Sequence, residues 1–136
     1  PKSGVVFVSV KDSDKDKILE PASDLIKLGF TIIATDGTAE FFNKNGINAK
    51  KINKVLQGSP HIVEEIKSNK VSLVFNTTET PQAIKDSKSI RRSALEAEVP
   101  YYTTVSGAMA SVLGIKSIIN KEISVKTIQS YGKLLN

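Results

Sequence analysis

The stretch FTIIATDGTAEFF, residues 30–42, joins a short apolar run to a helix-like segment through a polar turn. The run FTIIA is rich in β-branched and aromatic residues, which favours a buried strand. The turn TDGT follows directly, and its second threonine, Thr38, is of a type that often caps a helix. A strand that leads into a helix in this way is half of the unit from which parallel sheets are built. The stretch therefore predicts an α/β protein and leaves open what its polar turn holds.

The same alternation continues along the whole chain. Strands are predicted at residues 5–10, 30–34, 49–52, 71–76, 100–102 and 123–125, the third of them weak. Helices are predicted at residues 13–28, 38–44, 59–68, 80–98 and 106–113, with a last one at the C-terminus. Strands that are apolar throughout are typical of a parallel sheet covered on both faces. We therefore predict a three-layer α/β/α fold with a mainly parallel sheet of about five strands.

Proline and glycine residues predict where the helices begin, end or bend. Ser59-Pro60 and Thr80-Pro81 are each predicted to be a cap followed by a first helical residue. Pro21 lies too deep for a first turn, so a kink or a late start is expected there. Helix ends are expected at Gly29, Gly46 and Gly114. The apolar side of helix 80–98 is predicted to use Ile84, Ile90, Ala94 and Leu95.

Length and composition exclude several classes of protein. The 136 residues suit one domain, predicted to span residues 1–136. The chain contains no run of about 18 apolar residues, so no membrane span is predicted. It has no cysteine, which excludes disulfides and thiolate metal sites. The single histidine, His61, excludes a histidine-rich metal site, and no metal is expected. The chain begins at Pro1, so we expect a piece of a longer polypeptide, in a cytoplasmic setting.

The net charge of +5 is carried mostly by lysine and suits an anionic partner. A surface of solvated lysines explains the same charge without any partner. A nucleic-acid-binding module would usually interleave basic residues with stacking aromatics. Here the lysines are spread out and the few aromatic residues lie mostly in apolar runs. We therefore expect no nucleic-acid partner, and no membrane partner.

Polar groups follow four of the predicted strands. They are Lys11 and Lys15, the turn TDGT, the pair Asn53-Lys54, and the string NTTET that begins at Asn76. Ligands in parallel α/β folds bind at the carboxyl ends of the strands, where helix N-termini favour anions. Hydroxyl and ammonium groups suit phosphate oxygens. Each feature alone has a structural explanation, such as a helix cap at Thr38, but their convergence predicts a phosphate pocket.

Two further features favour structural roles. His61, beside a predicted helix start, is more often a capping or packing residue than a catalyst. Arg92 can pair with Glu96 one helical turn later. Asp86 and Ser87 lie nearer the start of the same helix and could reach a ligand held there.

The motifs SVKDSDK, ATDGTAEFF, INKVLQGSPHI, FNTTETPQAIKDSKSIRRSALEAEVPYYTT and ISVKTIQ together identify a family. They resemble the C-terminal regulatory domain of the large subunit of bacterial carbamoyl phosphate synthetase, from about Gly4 to Val125. That domain has a methylglyoxal synthase-like fold. The resemblance implies a domain that binds UMP or IMP as allosteric effectors and has no catalytic residues and no cofactor of its own.

The resemblance also implies roles for individual residues. The effector phosphate would be bound by Lys15, Thr35, Thr38 and Lys54. The ribose and base would lie near Val55, Asn76, Thr78, Asp86 and Ile90, and Thr103 would contribute to an ornithine site at the domain border. The parent enzyme would be a glutamine-hydrolysing ligase that uses ATP with Mg or Mn in pyrimidine and arginine biosynthesis. Its other large-subunit domains and a glutaminase small subunit would be partners, and the oligomeric state stays open.

Two departures and one rival accompany the resemblance. Many relatives carry arginine near Thr80-Pro81 and aspartate at the position of Tyr102, which leaves the choice of effector and the ornithine border open. The rival is a stand-alone methylglyoxal synthase-like enzyme that acts on a small phosphorylated substrate. Such an enzyme needs a carboxylate base where this chain has Ser59, in the stretch QGSPH. We therefore expect this domain alone to be non-catalytic.

Overall fold

The computed structural model describes residues 3–77 and 81–135; the side chains of residues 81–83 and 127–135 are not part of that description. Five strands alternate with helices. The strands are β1 (Val5–Ser9), β2 (Thr31–Ala34), β3 (Ala49–Lys51), β4 (Leu73–Asn76) and β5 (Tyr101–Tyr102). The helices are α1 (Lys15–Lys27), α2 (Asp36–Lys44), α3 (Ile62–Lys67), α4 (Pro81–Glu96) and α5 (Val105–Leu135). Short 3-10 turns occupy Asp12–Asp14 and Val55–Gln57.

All strand pairs in the sheet are parallel, and the strand order is β3-β2-β1-β4-β5. The chain therefore winds in one direction from β1 to β3 and then crosses back to β4 beside β1. Ser9 at the end of β1 is paired in register with Asn76 at the end of β4. Connections leave these two ends in opposite directions, which opens a crevice at the carboxyl edge of the sheet.

The sheet separates two apolar layers because successive side chains of a strand point to opposite faces. Val6 and Val8 pack with α1, α2 and α5, where Leu25, Phe42 and Val112 are buried. On the other face, Phe7, Ile33 and Val74 pack with α3 and α4 through buried Ile66 and Ala94. The predicted three-layer fold with a parallel sheet of five strands is confirmed.

Two predicted helix ends are confirmed by backbone conformation. Gly29 follows α1 with a φ of 96°, and Gly46 follows α2 with a φ of 78°. Residues with a side chain rarely adopt such values, so glycine ends these helices at little cost.

The predictions for residues 106–125 were wrong in detail. Helix α5 runs from Val105 through Gly114 to Leu135, so it neither stops at Gly114 nor gives way to a strand at residues 123–125. Val112 and Ile115, on either side of Gly114, are both buried in the core and hold the helix there. Ile123 lies within α5 and is 58% exposed. Packing at these neighbours outweighs the cost of about 1 kcal/mol that glycine adds to a helix interior.

Helix starts also differ from the prediction. Helix α2 begins at Asp36 with Thr35 as N-cap, so Thr38 lies inside its first turn. Helix α3 begins at Ile62, after a cis peptide at Ser59–Pro60. Its N-cap is His61, whose Nδ1 accepts a hydrogen bond from Glu64 N at 3.3 Å. The capping role expected for His61 is confirmed. Thr80 lies outside the described residues.

The late helix start that was one of two possibilities at Pro21 is wrong, and so are two of the four apolar positions predicted for helix 80–98. Helix α1 begins at Lys15 and continues through Pro21, whose buried side chain joins the apolar face that contacts the sheet. On α4, Ile90 and Ala94 are buried as predicted, but Ile84 is 48% and Leu95 78% exposed. Leu95 follows Ala94, and one residue turns a helix by about 100°, which carries the side chain off the buried face.

Candidate functional site

A polar cavity of about 230 Å³ lies at the carboxyl ends of β1 and β2 and extends to the segments after β3 and β4. Its walls include all four residues predicted to bind phosphate: Lys15, Thr35, Thr38 and Lys54. The remaining lining residues are Ser9, Val10, Lys11, Asp12, Gly37 and Thr77. The structure thus brings side chains from four separate junctions around one space.

Hydroxyl groups fix the end of β1 at the floor of this cavity. The hydroxyls of Ser9 and Thr35 lie 2.9 Å apart and share a hydrogen bond. Val10 N donates to Thr38 Oγ1 at 3.2 Å, and Lys11 N donates to Thr77 Oγ1 at 2.9 Å. Thr35, Thr38 and Thr77 are all buried, so their positions are set by the fold. Thr38 therefore caps the end of a strand, and the helix cap expected for it was wrong.

The N-terminus of α2 opens into the cavity. The bond from Ala39 N to Thr35 O is the first of the helix, so the preceding N–H groups have no earlier carbonyl of the helix to bind. A Cβ built on Gly37 would lie 3.4 Å from Lys15 Nζ, which places this ammonium against the first turn. Free N–H groups, the partial positive charge of the helix end and a lysine together favour an anion.

Two carboxylates modify the charge of the site. Asp12 accepts a hydrogen bond from Lys15 Nζ at 2.5 Å, and this contact lowers the pKa of Asp12 below its ordinary value. Asp36 lies 2.7 Å from Lys51 Nζ and accepts from Gln57 Nε2 at 2.9 Å. These two hydrogen bonds, Lys51 first, lower the pKa of Asp36. Both carboxylates are therefore ionised at neutral pH.

Gln57, which bonds Asp36, also holds the backbone at Lys54. Lys54 N donates to Gln57 Oε1 at 2.8 Å, and Gln57 N donates to Lys54 O at 3.0 Å. Gln57 in turn bonds Asp36 in the first turn of α2. This chain of contacts sets the segment after β3 against the start of α2 and brings Lys54 to the cavity.

A second, smaller chamber adjoins the first and shares Ser9, Thr35, Lys54 and Thr77 with it. It adds Asn76, Asp86, Ser87 and Ile90, so three of the residues predicted near the ribose and base line it. Its volume of about 20 Å³ has room for roughly one water molecule. A nucleoside would therefore lie at its mouth or displace side chains.

The amide of Asn76 links this chamber to the sheet. Its Nδ2 donates to Ser87 Oγ at 2.9 Å and to the Tyr101 hydroxyl at 2.8 Å. Val55, also predicted near the base, lines neither chamber. Thr78 lies outside the described residues.

Sequence reasoning missed Ser9 as a member of the site, and it gave Thr77 only within the string NTTET without singling it out. Both lie at strand ends, Ser9 as the last residue of β1 and Thr77 directly after β4. The rule that directed attention to carboxyl ends of strands could have included them. That rule does not predict which strands are neighbours, and the site depends on β1 lying beside β4.

Thr103 lines a different groove, of about 490 Å³, between α1 and the start of α5. Its walls carry the carboxylates of Asp14, Asp16 and Glu20, and among the described residues it shares only Lys11 with the first cavity. The two predicted ligand sites are thus separate places in the fold.

Ser59 and His61 are engaged with Glu64 rather than with each other. Ser59 Oγ donates to Glu64 Oε2 at 2.7 Å, and His61 Nε2 lies 2.9 Å from Glu64 Oε1. Neither lines either of the two chambers. Among the described residues, no three acidic or histidine side chains group as metal ligands would, and no helix there is long and apolar enough to cross a membrane.

Comparisons with known proteins agree with this architecture. The model of the MGS-like domain family matches residues 17–103. Over 131 residues, 96% of the chain, the carbamoyl phosphate synthase large chain of Rhizobium meliloti (strain 1021) is 49% identical. The large chain of Methanothrix thermoacetophila is 40% identical over 133 residues, 98% of the chain. The chain spans only 11% and 12% of the lengths of these two relatives.

A solved structure shares the fold. The methylglyoxal synthase of Elizabethkingia anophelis NUHP1 superimposes with a TM-score of 0.67 at 18% identity, covering 82% of this chain and 78% of that one. At this identity the likeness is one of fold.

Proposed function

The chain belongs to the MGS-like domain family, and from that membership we propose that it binds a nucleotide effector through the effector's phosphate. The observation that carries the proposal is the cavity at the carboxyl edge of the sheet. Lys15, Thr35, Thr38 and Lys54 surround it together with the N-terminus of α2. UMP and IMP are the effectors proposed, and their ribose and base would lie at the mouth of the adjoining chamber, near Asn76, Asp86 and Ile90.

The proposed parent is a carbamoyl phosphate synthase, of which this chain is the regulatory domain of the large chain. Identities of 40–49% across nearly the whole chain support this parentage. Synthesis of carbamoyl phosphate from glutamine, bicarbonate and ATP, with Mg or Mn, would take place in other domains. The remaining large-chain domains and a glutaminase subunit are the proposed partners, in the cytoplasm.

The groove at Thr103 is the proposed site for ornithine. Asp14, Asp16 and Glu20 line it, and carboxylates suit the ammonium groups of a cationic amino acid. The rival function, phosphosugar chemistry as in methylglyoxal synthase, has less support because Ser59 replaces the carboxylate base and bonds Glu64.

The test is calorimetric titration of the purified chain with UMP, IMP, uridine and orthophosphate. We expect UMP or IMP to bind, and uridine to bind far more weakly because it lacks the charge-assisted contacts. Lys54→Ala is expected to weaken nucleotide binding about 10-fold or more. Lys44→Ala is the matched control, since Lys44 is exposed and pairs with Glu40 at the far end of α2.

Two results would contradict the proposal. Equal affinity for UMP and uridine would exclude anchoring by phosphate. Unfolding of the Lys54→Ala variant without ligand would show that Lys54 is structural.

A further inference from the structure

The phosphate cavity already contains an anion supplied by the chain itself. Asp12, in the 3-10 turn after β1, lines the cavity and accepts a hydrogen bond from Lys15 Nζ at 2.5 Å. The Asp12 side chain is 88% exposed, whereas that of Lys15 is only 20% exposed. The lysine is thus fixed in the wall of the cavity, and the carboxylate approaches it from the solvent side.

This contact lies beside the N-terminus of α2, where an anion is favoured. Lys15 Nζ lies against the first turn of α2, within 3.4 Å of where a Cβ of Gly37 would be. The ammonium and the positive end of the helix therefore act on the same space. Asp12 is charged at neutral pH, as an aspartate ordinarily is, and the hydrogen bond from Lys15 lowers its pKa further.

Lys54, another of the three lysines that line the cavity, differs from Lys15. Asp36, the acidic residue of the first turn of α2, pairs with Lys51 at 2.7 Å and not with Lys54. Among the described residues, no carboxylate lies within 4.0 Å of the Lys54 ammonium. Of the three lysines that line the cavity, Lys15 therefore has the shortest contact with a carboxylate, at 2.5 Å, whereas Lys11 lies 4.0 Å from Asp14.

We propose that Asp12 is an internal competitor for the effector phosphate, which must take Lys15 from the Asp12 carboxylate in order to bind. The inference rests on the proposed function and adds a residue that sets affinity. An exposed ion pair contributes little to stability, so its exchange for a phosphate is inexpensive and reversible. The displaced carboxylate remains near the bound phosphate and repels it. Asp12 therefore lowers the affinity of the site for anions while leaving the fold unaffected.

The experiment compares Asp12→Asn with the wild type by calorimetric titration with orthophosphate and with UMP. Asparagine keeps the size of the side chain and removes the charge. We expect binding of both ligands to tighten about 3- to 10-fold. The gain should shrink as salt concentration rises, because exposed charges are screened. Glu40→Gln is the control: it also removes one charge from an exposed ion-paired carboxylate, but outside the cavity, and should leave affinity nearly unchanged.

Two results would overturn the inference, and a third would overturn the proposed function on which it rests. If Asp12 instead positions Lys15 for the ligand, Asp12→Asn will weaken binding, and competition is excluded. An equal gain in Glu40→Gln would show a general effect of net charge and also overturn the inference. If neither the wild type nor Asp12→Asn binds orthophosphate or UMP, the proposed function itself fails.

Discussion

The hydroxyl of Thr38 accepts a hydrogen bond from Val10 N, a residue 28 positions earlier in the chain. Thr77 does the same for Lys11 N from the other side of β1. The polar residues that follow the strands predicted a phosphate pocket at these threonines, and both line the cavity. Their hydrogen-bond partners were not predictable, because a local reading of Thr38 can consider only its own helix. The donor arrives through the pairing of β1 with β2, which the sequence does not encode locally.

Thr38→Ala is expected to lower the free energy of unfolding by about 1–3 kcal/mol, since Val10 N would lose its acceptor in a buried position. Urea denaturation of the protein without ligand measures this change. Thr38→Ser keeps the hydroxyl and is the control, with a smaller loss from the missing methyl group. If both variants are as stable as the wild type, the hydrogen bond to Val10 makes no net contribution.

At the scale of elements, apolar runs placed the five strands of the sheet to within two residues, but they also predicted a strand at residues 123–125, which lie in α5. The helix boundaries were harder to predict. Gly114 has the same local signal as Gly29, yet Gly29 ends α1 with a positive φ and Gly114 lies inside α5. The difference is tertiary, because Val112 and Ile115 continue the buried face of α5 across the glycine.

Gly114→Ala tests the continuity of α5. A Cβ at this position meets no atom within 4 Å, so alanine should stabilise the helix by about 0.5–1 kcal/mol. Gly29→Ala is the contrasting variant and should destabilise, because its φ of 96° disfavours a side chain although the space around it is open. Thermal unfolding of both variants measures whether each substitution raises or lowers the stability of the protein. A loss of stability in Gly114→Ala would indicate that the helix ends near residue 114.

At the scale of the molecule, the strand order creates the site. The parallel sheet and its approximate size were predictable from the alternation of strands and helices, but similar apolar runs do not reveal which strands are neighbours. The order β3-β2-β1-β4-β5 puts β1 in the centre and brings Ser9, Thr35 and Thr77 to one edge. It also sets the groove at Thr103 beside α1, with Lys11 as the one residue that lines both spaces.

This separation predicts two independent ligand effects in the full-length enzyme proposed as the parent. Lys54→Ala should abolish most of the response to UMP, and Thr103→Ala should weaken the response to ornithine. Thr103→Ala should change UMP affinity by no more than about 2-fold, since Thr103 does not line the phosphate cavity and residues that share no ligand contact usually contribute independently.

The coupling between effector and active sites provides the measurement. Allosteric coupling is typically about 1–3 kcal/mol and is reciprocal for binding. An ATP analogue should therefore shift UMP affinity by the same factor by which UMP shifts the affinity for that analogue. Calorimetric titration of the wild type and both variants with UMP and with the ATP analogue, each in the presence and absence of the other ligand, measures both factors. If Thr103→Ala removed UMP binding as completely as Lys54→Ala, the two spaces would act as one site and the independence inferred from the fold would be refuted.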